Sequence, residues 1–264
     1  MSGRVIVVGD LQGCHKEAIA LLDKCEATAS DHVIFAGDMV DRGPESGKCV
    51  DLAMERERVQ GKPAAVLGNH EDRHLSYRAL ELTGLDPGVR VESHVATRKQ
   101  LRAEHYEYLA TLPLHIRLPE HDAVVVHAGL FPGVPLEEQD RHHLLHIQMI
   151  NPDVGYDDSG NRVVDKRTMW PSRCPDHWRF WTNLYDGPER VIFGHSVFDT
   201  PLVTGKVFGI DGGACFGRQL HALILPEWRI VSVDAATDHG QGSRGRSGGR
   251  IRMYNVHGDV STYS

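Results

Sequence analysis

The chain has no paired cysteine motif, no basic excess and no apolar run long enough to cross a bilayer. Its five cysteines, Cys14, Cys25, Cys49, Cys174 and Cys215, are odd in number and scattered, with no CxxC pair. That argues against a disulfide framework or a cysteine-built zinc site, and for reduced thiols in the cytoplasm. Lys and Arg total 29 against 36 Asp and Glu, a formal net charge of -7. A general nucleic-acid binder usually carries a basic face, so no stable nucleic-acid partner is expected, although a locally basic pocket can still take a small anion. No apolar stretch approaches the roughly 20 residues of a membrane span. The opening MSGRVIVVGD moves straight into a strand pattern and lacks the regions of a secretory signal, so a membrane location is not expected.

What the chain does have is a set of short apolar runs that end in polar residues. RVIVVGD closes on Asp10, VIFAGD on Asp38, AAVLGN on Asn69, AVVVH on His127 and VIFGH on His195. Runs of a few Val, Ile, Phe and Ala read as buried parallel strands. In open α/β sheets ligands collect at the carboxyl ends of such strands. Two Asp, one Asn and two His there make a mixed oxygen and nitrogen site suited to hard or borderline divalent metals.

The intervening segments fit that order. Ala18, Ile19, Leu22 and Cys25 give a helix after the first strand an apolar stripe, and GPESGKCVDLAMERERV supplies another after the second. Residues 71–112 read as mostly helical, broken at Gly84 and at Pro87-Gly88. Strands are expected near 207–210 and 219–225, neighbouring and antiparallel in a second sheet together with IVSVDA. Residues 1–236 form one domain on this reading, and the proline-punctuated 131–188 segment within it sets substrate choice. Residues 237–264, rich in Gly, Ser and Arg at their start, are read as a flexible extension that adds one terminal strand.

Chemistry follows from the residue types. Asp38 can bridge two cations with its two oxygens, with Asp10 and Gln12 beside one and Asn69, His127 and His195 beside the other. Two metals roughly 3.5 to 4 Å apart can clamp a phosphoryl group and acidify a shared water, whose hydroxide attacks phosphorus in line. His70 can protonate the leaving oxygen as a general acid, oriented and kept protonated by Asp41. Arg42 offers a planar fork for phosphate oxygens, and Asn69 also borders the phosphate. Any one of these motifs alone is common turn chemistry; their joint occurrence in order is what carries weight.

The order GDLQG, GDMVDRG, GNHE, VVHAGL and FGHS resembles the calcineurin-like metallophosphoesterases, in the branch of serine/threonine protein phosphatases and symmetrical bis(5'-nucleosyl)-tetraphosphatases. The resemblance covers residues 4 to about 225. It implies a four-layer α/β/β/α sandwich with two divalent ions between its sheets. Manganese is the expected metal, with cobalt, nickel, iron or zinc as alternatives. It also implies a second phosphate-binding arginine between the late histidines, for which Arg173 is chosen by spacing, with Arg167 and Arg179 as rivals. One position departs from the pattern: Gln12 stands where the family carries histidine. A neutral amide oxygen is a harder, weaker ligand than imidazole, so a looser first metal is expected.

For substrate, IDGGACFGRQLHALILPE resembles the tetraphosphatase ending, which favours symmetrical cleavage of Ap4A to two ADP. The alternative is a phosphoserine or phosphothreonine protein substrate, favoured by Asp41 in GDMVDRG. Trp170, Trp178 and Trp181 are read first as core, with adenine stacking as their other use. His142, His143 and His146 are read as a polar helix face.

Overall fold

The computed structural model describes residues 3–156, 162–164, 166–240, 252–254 and 260–262. Its first half runs β1 (Val5–Val8), α1 (His15–Lys24), β2 (His32–Phe35), α2 (Ser46–Gln60), α3 (Asn69–Leu82), α4 (Glu92–Gln100), α5 (Ala103–Thr111), β3 (His115–Leu118) and β4 (Ala123–Val126). Next come α6 (Arg141–His146), β5 (Met149–Ile150), β6 (Val154–Tyr156), β7 (Arg162–Val164), β8 (Thr168–Met169) and β9 (Arg179–Phe180). The last part holds β10 (Arg190–Val197), β11 (Leu202–Thr204), β12 (Val207–Asp211), β13 (Gln219–Leu225), β14 (Arg229–Asp234), β15 (Arg252–Tyr254) and β16 (Val260–Thr262).

Two sheets form the centre. The first has the order β14-β13-β1-β2 and the second β11-β12-β10-β4-β3. β1 runs parallel to β2, and β10 runs parallel to both β4 and β12, as unbroken apolar runs suggest. Alternation assigns each strand two dry faces. Ile6, Val8, Val33 and Phe35 meet helical residues such as Ala18, Leu21, Val50 and Leu109. Val5, Val7, Ile34 and Ala36 face the other sheet's Ala123, Val125, Ile192 and Ile210. The outer face of that second sheet, with Val124, Val191 and Phe193, is covered by Leu144 of α6 and by Phe180 and Trp181. The result is a four-layer α/β/β/α sandwich, and its carboxyl-terminal strand ends converge on one side.

Four expectations need correction. β12 and β13 are not neighbours: β13 pairs antiparallel with β1 in the first sheet, while β12 stays in the second. The apolar residues of the two strands meet across the sheet interface, where Phe208 and Ile210 pack with Leu223 and Leu225. Residues 64–67 add only a single parallel bridge, Phe35 to Ala65, to the edge of β2. Ile19 is 38% exposed, and Leu21 takes its place in the α1 stripe. Residues 237–240 are held, with the His239 N–H donating to the Cys215 carbonyl at 2.8 Å. Residues 241–250, the Gly/Arg-rich run, lie outside the described residues; beyond them β15 and β16 pair as a two-stranded antiparallel unit where one strand was expected. All five cysteines are free thiols.

Candidate active site at the strand ends

Asp10 and Asp38 follow β1 and β2, His127 follows β4, Asn69 opens α3, and His195 sits near the end of β10 where its pairing with β12 shifts register. Several of these turns are unusually tight. Gln12, Asp38, Asp41, Arg42 and His195 all have positive φ, at 46°, 47°, 74°, 59° and 63°. Non-glycine residues adopt that region at a cost of about 1–2 kcal/mol each, and strain of this kind concentrates at functional sites. Two glycines make the crowding possible. A Cβ on Gly43 would lie 2.5 Å from the Gln12 carbonyl oxygen, and one on Gly194 would lie 1.9 Å from Asp10 Oδ1. Glu71 ties the turn together. Its carboxylate accepts from the backbone N–H groups of Gly68, Asp38, Met39 and Val40.

The donor set fits a cation. His127 Nδ1 lies 2.9 Å from the Ala36 carbonyl and donates to it, so its Nε2 presents a lone pair. That Nε2 faces Asn69 Oδ1 at 2.9 Å and Asp38 Oδ1 at 3.4 Å. His195 Nδ1 lies 2.9 Å from the same Asn69 oxygen. Among the described residues, His195 Nε2 is buried without a hydrogen-bond partner. Ligand atoms of Asp38, His127 and His195 all lie within 4.8 Å of one another. Acceptors pointed at acceptors repel unless a proton or a cation stands among them. The carboxylates say the same. Burial, with Asp211 and Asp38 close by, pushes the Asp10 carboxyl well above its usual range. Burial also pushes Asp38 up, but His127, His70 and His195 outweigh it and hold Asp38 down at about 2. These residues therefore suit the dinuclear centre that the resemblance implies.

Gln12 reaches the centre but does not present a free oxygen to it. Its amide nitrogen donates to Asp38 Oδ2 at 3.0 Å, while its amide oxygen accepts from the Arg42 guanidinium. In this arrangement Gln12 links Arg42 to Asp38, whereas the sequence reading expects it as a metal ligand. Arg42 also lies over the Phe216 ring, 5.2 Å from its centroid.

His70 stands beside the cluster. Its backbone N–H donates to Asp38 Oδ1 at 2.9 Å, and its Nδ1 lies 2.6 Å from Asp41 Oδ2. Asp41 is thus placed, as expected, to orient the His70 ring. Burial draws the His70 pKa below its ordinary value, and Arg42 adds to that, against the pull of Asp38 and Asp41. Asp41 is itself a shared anchor. His74 Nε2 donates to its other oxygen at 2.7 Å, and His94 Nε2 approaches at 3.5 Å. Burial raises the Asp41 carboxyl, but the hydrogen bonds from His70 and His74 dominate and hold it far below the carboxylate range.

Sequence reasoning missed Glu71, His74, His94 and Asp211. Three of them left a signal. Glu71 is the third residue of α3, where a carboxylate bonds back to the residue before the helix. His74 is one turn beyond His70. Asp211 ends β12 in VFGID, the same strand-end pattern as the five residues found. His94 arrives from α4 and left none.

The outer residues sort differently. Arg173 is exposed on the short turn Pro171–Arg173, its backbone N–H donating to the Trp170 carbonyl at 2.9 Å. Arg179 donates to the carbonyls of Asp176, His177 and Trp178 at 2.9–3.0 Å. Trp178 and Trp181 are core, at 5% and 0% exposure. Trp170 is 51% exposed, with its ring 5.9 Å from that of His195. The histidines of α6 are not a uniform polar face. His143 is buried against Phe131, its Nε2 donating to the Lys166 carbonyl at 2.6 Å, and His146 turns toward His195 with ring centroids 6.3 Å apart.

Comparison with known proteins agrees with this geometry. The model of the calcineurin-like phosphoesterase family matches residues 3–199. Bis(5'-nucleosyl)-tetraphosphatase PrpE [asymmetrical] of Bacillus velezensis is 28% identical over 87% of this chain and 92% of its own. The protein of that name from Bacillus subtilis is 27% identical over 87% of this chain and 94% of its own. A crystal structure of a candidate diadenosine tetraphosphatase superposes with a TM-score of 0.69 at 28% identity, covering 89% of this chain and 95% of the other. A serine/threonine phosphatase from Saccharomyces cerevisiae shares the fold, with a TM-score of 0.55 at 17% identity over 89% of this chain and 80% of its own. With candidate ligands at the ends of β1, β2, β4 and β10, and with the family match spanning all of them, this chain belongs to the calcineurin-like phosphoesterases.

Proposed function

We propose that this phosphoester hydrolase acts on bis(5'-nucleosyl) tetraphosphates. The observation that carries the reading is the likeness, along nearly nine-tenths of the chain, to relatives named for that substrate. Those relatives are named asymmetrical, which favours ATP plus AMP as products over the two ADP expected from sequence. Asp10, Asp38, Asn69, His127 and His195 hold two divalent ions, with manganese the proposed metal. When bound, the pair polarises the phosphoryl oxygens and activates water for in-line displacement.

The chain's own groups do the rest. Arg42, poised by the Gln12 amide, clamps phosphate oxygens through its fork, and Asn69 borders the same oxygens. Arg173 on the rim is the proposed second phosphate arginine. His70 delivers the proton to the leaving oxygen from Nε2, while Asp41 fixes its ring through Nδ1. Burial lowers the His70 pKa, and an entering phosphate anion raises it again. The acid is thus charged as substrate arrives. Among the described residues no helix is long and apolar enough to cross a membrane. Five free thiols suit a reducing compartment such as the cytoplasm.

The test is a side-by-side assay of manganese-loaded protein on Ap4A and on a phosphothreonine peptide, with nucleotide products separated. Efficient release of ATP and AMP is expected. Two ADP would restore the symmetrical cut. Efficiency on the peptide at least tenfold above that on Ap4A would replace the nucleotide reading with that of a protein phosphatase.

A further inference from the structure

Trp170 is the one exposed Phe or Trp side chain among the described residues. The other apolar side chains left exposed, Ile19, Val59, Leu80, Leu82, Leu85, Val91 and Val203, are all aliphatic. An indole half in water beside a buried polar centre is an unfilled contact. Its ring lies 5.9 Å from His195, tilted by 44°. The His146 ring borders His195 as well, at 6.3 Å and near-perpendicular, and His142 continues the row outward at 4.9 Å from His146. Aromatic faces therefore start at a ligand of the centre and run out along its rim.

The row is built in advance. Trp170 directly follows β8, whose Thr168 and Met169 pair with Ile150 and Met149 of β5. The turn after it is closed by the Arg173 N–H on the Trp170 carbonyl. α6 is tied to α3 by Arg141 and Asp72 at 2.6 Å, and to the chain entering β8 by His143 and the Lys166 carbonyl. Both walls are thus fixed relative to the phosphate site without a ligand, the condition under which a contact yields affinity and not ordering cost.

We propose that Trp170, which like His146 borders the His195 ring, is a specificity-determining subsite that stacks one nucleobase of the substrate at the mouth of the centre. The proposal deepens the polyphosphate reading and rests on it. A base offers an aromatic face of matching size on every nucleoside, while the phosphates reach Arg42 and the strand ends. Stacking of this kind tolerates different bases, so the subsite recognises a nucleoside without choosing sharply among them.

Equilibrium binding tests the proposal apart from turnover. Manganese-loaded wild type, Trp170→Ala and Trp170→Phe are titrated with ADP and, separately, with inorganic pyrophosphate. Trp170→Ala should bind ADP about tenfold more weakly, with pyrophosphate unchanged. Trp170→Phe should recover most of the loss, because a smaller aromatic face remains. In wild type, ADP should quench tryptophan fluorescence and pyrophosphate should not, since Trp178 and Trp181 are buried and Trp228 packs against Phe208. Equal ADP affinity in wild type and Trp170→Ala overturns the subsite. So does an equal loss for both ligands, or a wild type that binds pyrophosphate but not ADP. If the Trp170-dependent ADP binding is found and Ap4A is not cleaved, the subsite stands and the substrate assignment falls.

Discussion

At the strand ends, nearly every side chain is fixed from two directions. Asp38 accepts from the His70 backbone on one oxygen and from Gln12 on the other, and Asp10 accepts the His195 N–H on both. The rim between residues 131 and 188 is held more sparsely. β5, β8 and β9 are two residues long each, and the rings of Trp170 and His142 are left exposed. The first region buries charge and must satisfy each polar atom or lose stability. The second packs Leu144, Phe180 and Trp181 inward and leaves its outer rings to solvent. The proposed cleavage chemistry falls in the region that is over-determined, and the proposed choice of ester in the region that is not.

Substitutions can break or sharpen that contrast. The largest effect should come from His70→Asn or Asn69→Ala, each lowering kcat by roughly 100- to 10,000-fold on every phosphoester tried. Steady-state rates near wild type in either variant would remove these residues from the chemistry. Next is Gly194→Val, whose Cβ would collide with Asp10 Oδ1. About 100-fold loss of activity with reduced metal content by elemental analysis is expected, since displacement near 1 Å at a reacting centre costs that much. Full metal occupancy would show that Asp10 is free to move.

Gln12→His should act at the seam between the two functions of that residue. Imidazole adds a stronger metal donor, so manganese should bind more tightly in a metal titration, by about tenfold. At the same time Arg42 loses its amide oxygen partner, and KM for the phosphoester should rise. Unchanged metal affinity with raised KM would show that Gln12 serves Arg42 alone. The smallest effect should come far from both regions. Burial raises the Asp31 carboxyl, but hydrogen bonds from Arg4 and Thr28 prevail and hold it down at about 2. Asp31→Asn should cost about 1–2 kcal/mol at pH 7 and leave kcat alone. A carboxyl whose folded pKa is depressed contributes stability that is present above its unfolded value near 3.9 and lost as pH falls toward 2. The gap between variant and wild type in urea melts should therefore narrow below about pH 4. A gap that stays undiminished down to pH 2 would point to packing and not to charge.

The ligands were legible because each closes an unbroken apolar run, and a strand end is a place the sequence states directly. Asp211 was as legible by that rule and was passed over, since VFGID was taken as a plain strand. The sheet membership of β12 and β13 was not legible: both have two apolar faces, and nothing local says which partner lies beside and which across. His94 belongs to a helix packed onto Asp41 from a distant part of the chain, so no spacing reveals it. Gln12 shows a different limit. The sequence identified the residue and its place, but which way an amide points depends on Arg42 and Asp38 together.

The carboxyl groups gathered around Asp10 have a further consequence. Asp10, Asp38 and Asp211 are all buried, and the first and last hold their protons more tightly than free carboxylic acids do. A divalent ion entering among them displaces protons as it neutralises charge. Metal loading is therefore expected to release protons, and the same crowding that disfavours ionised carboxylates ties metal uptake to acidity.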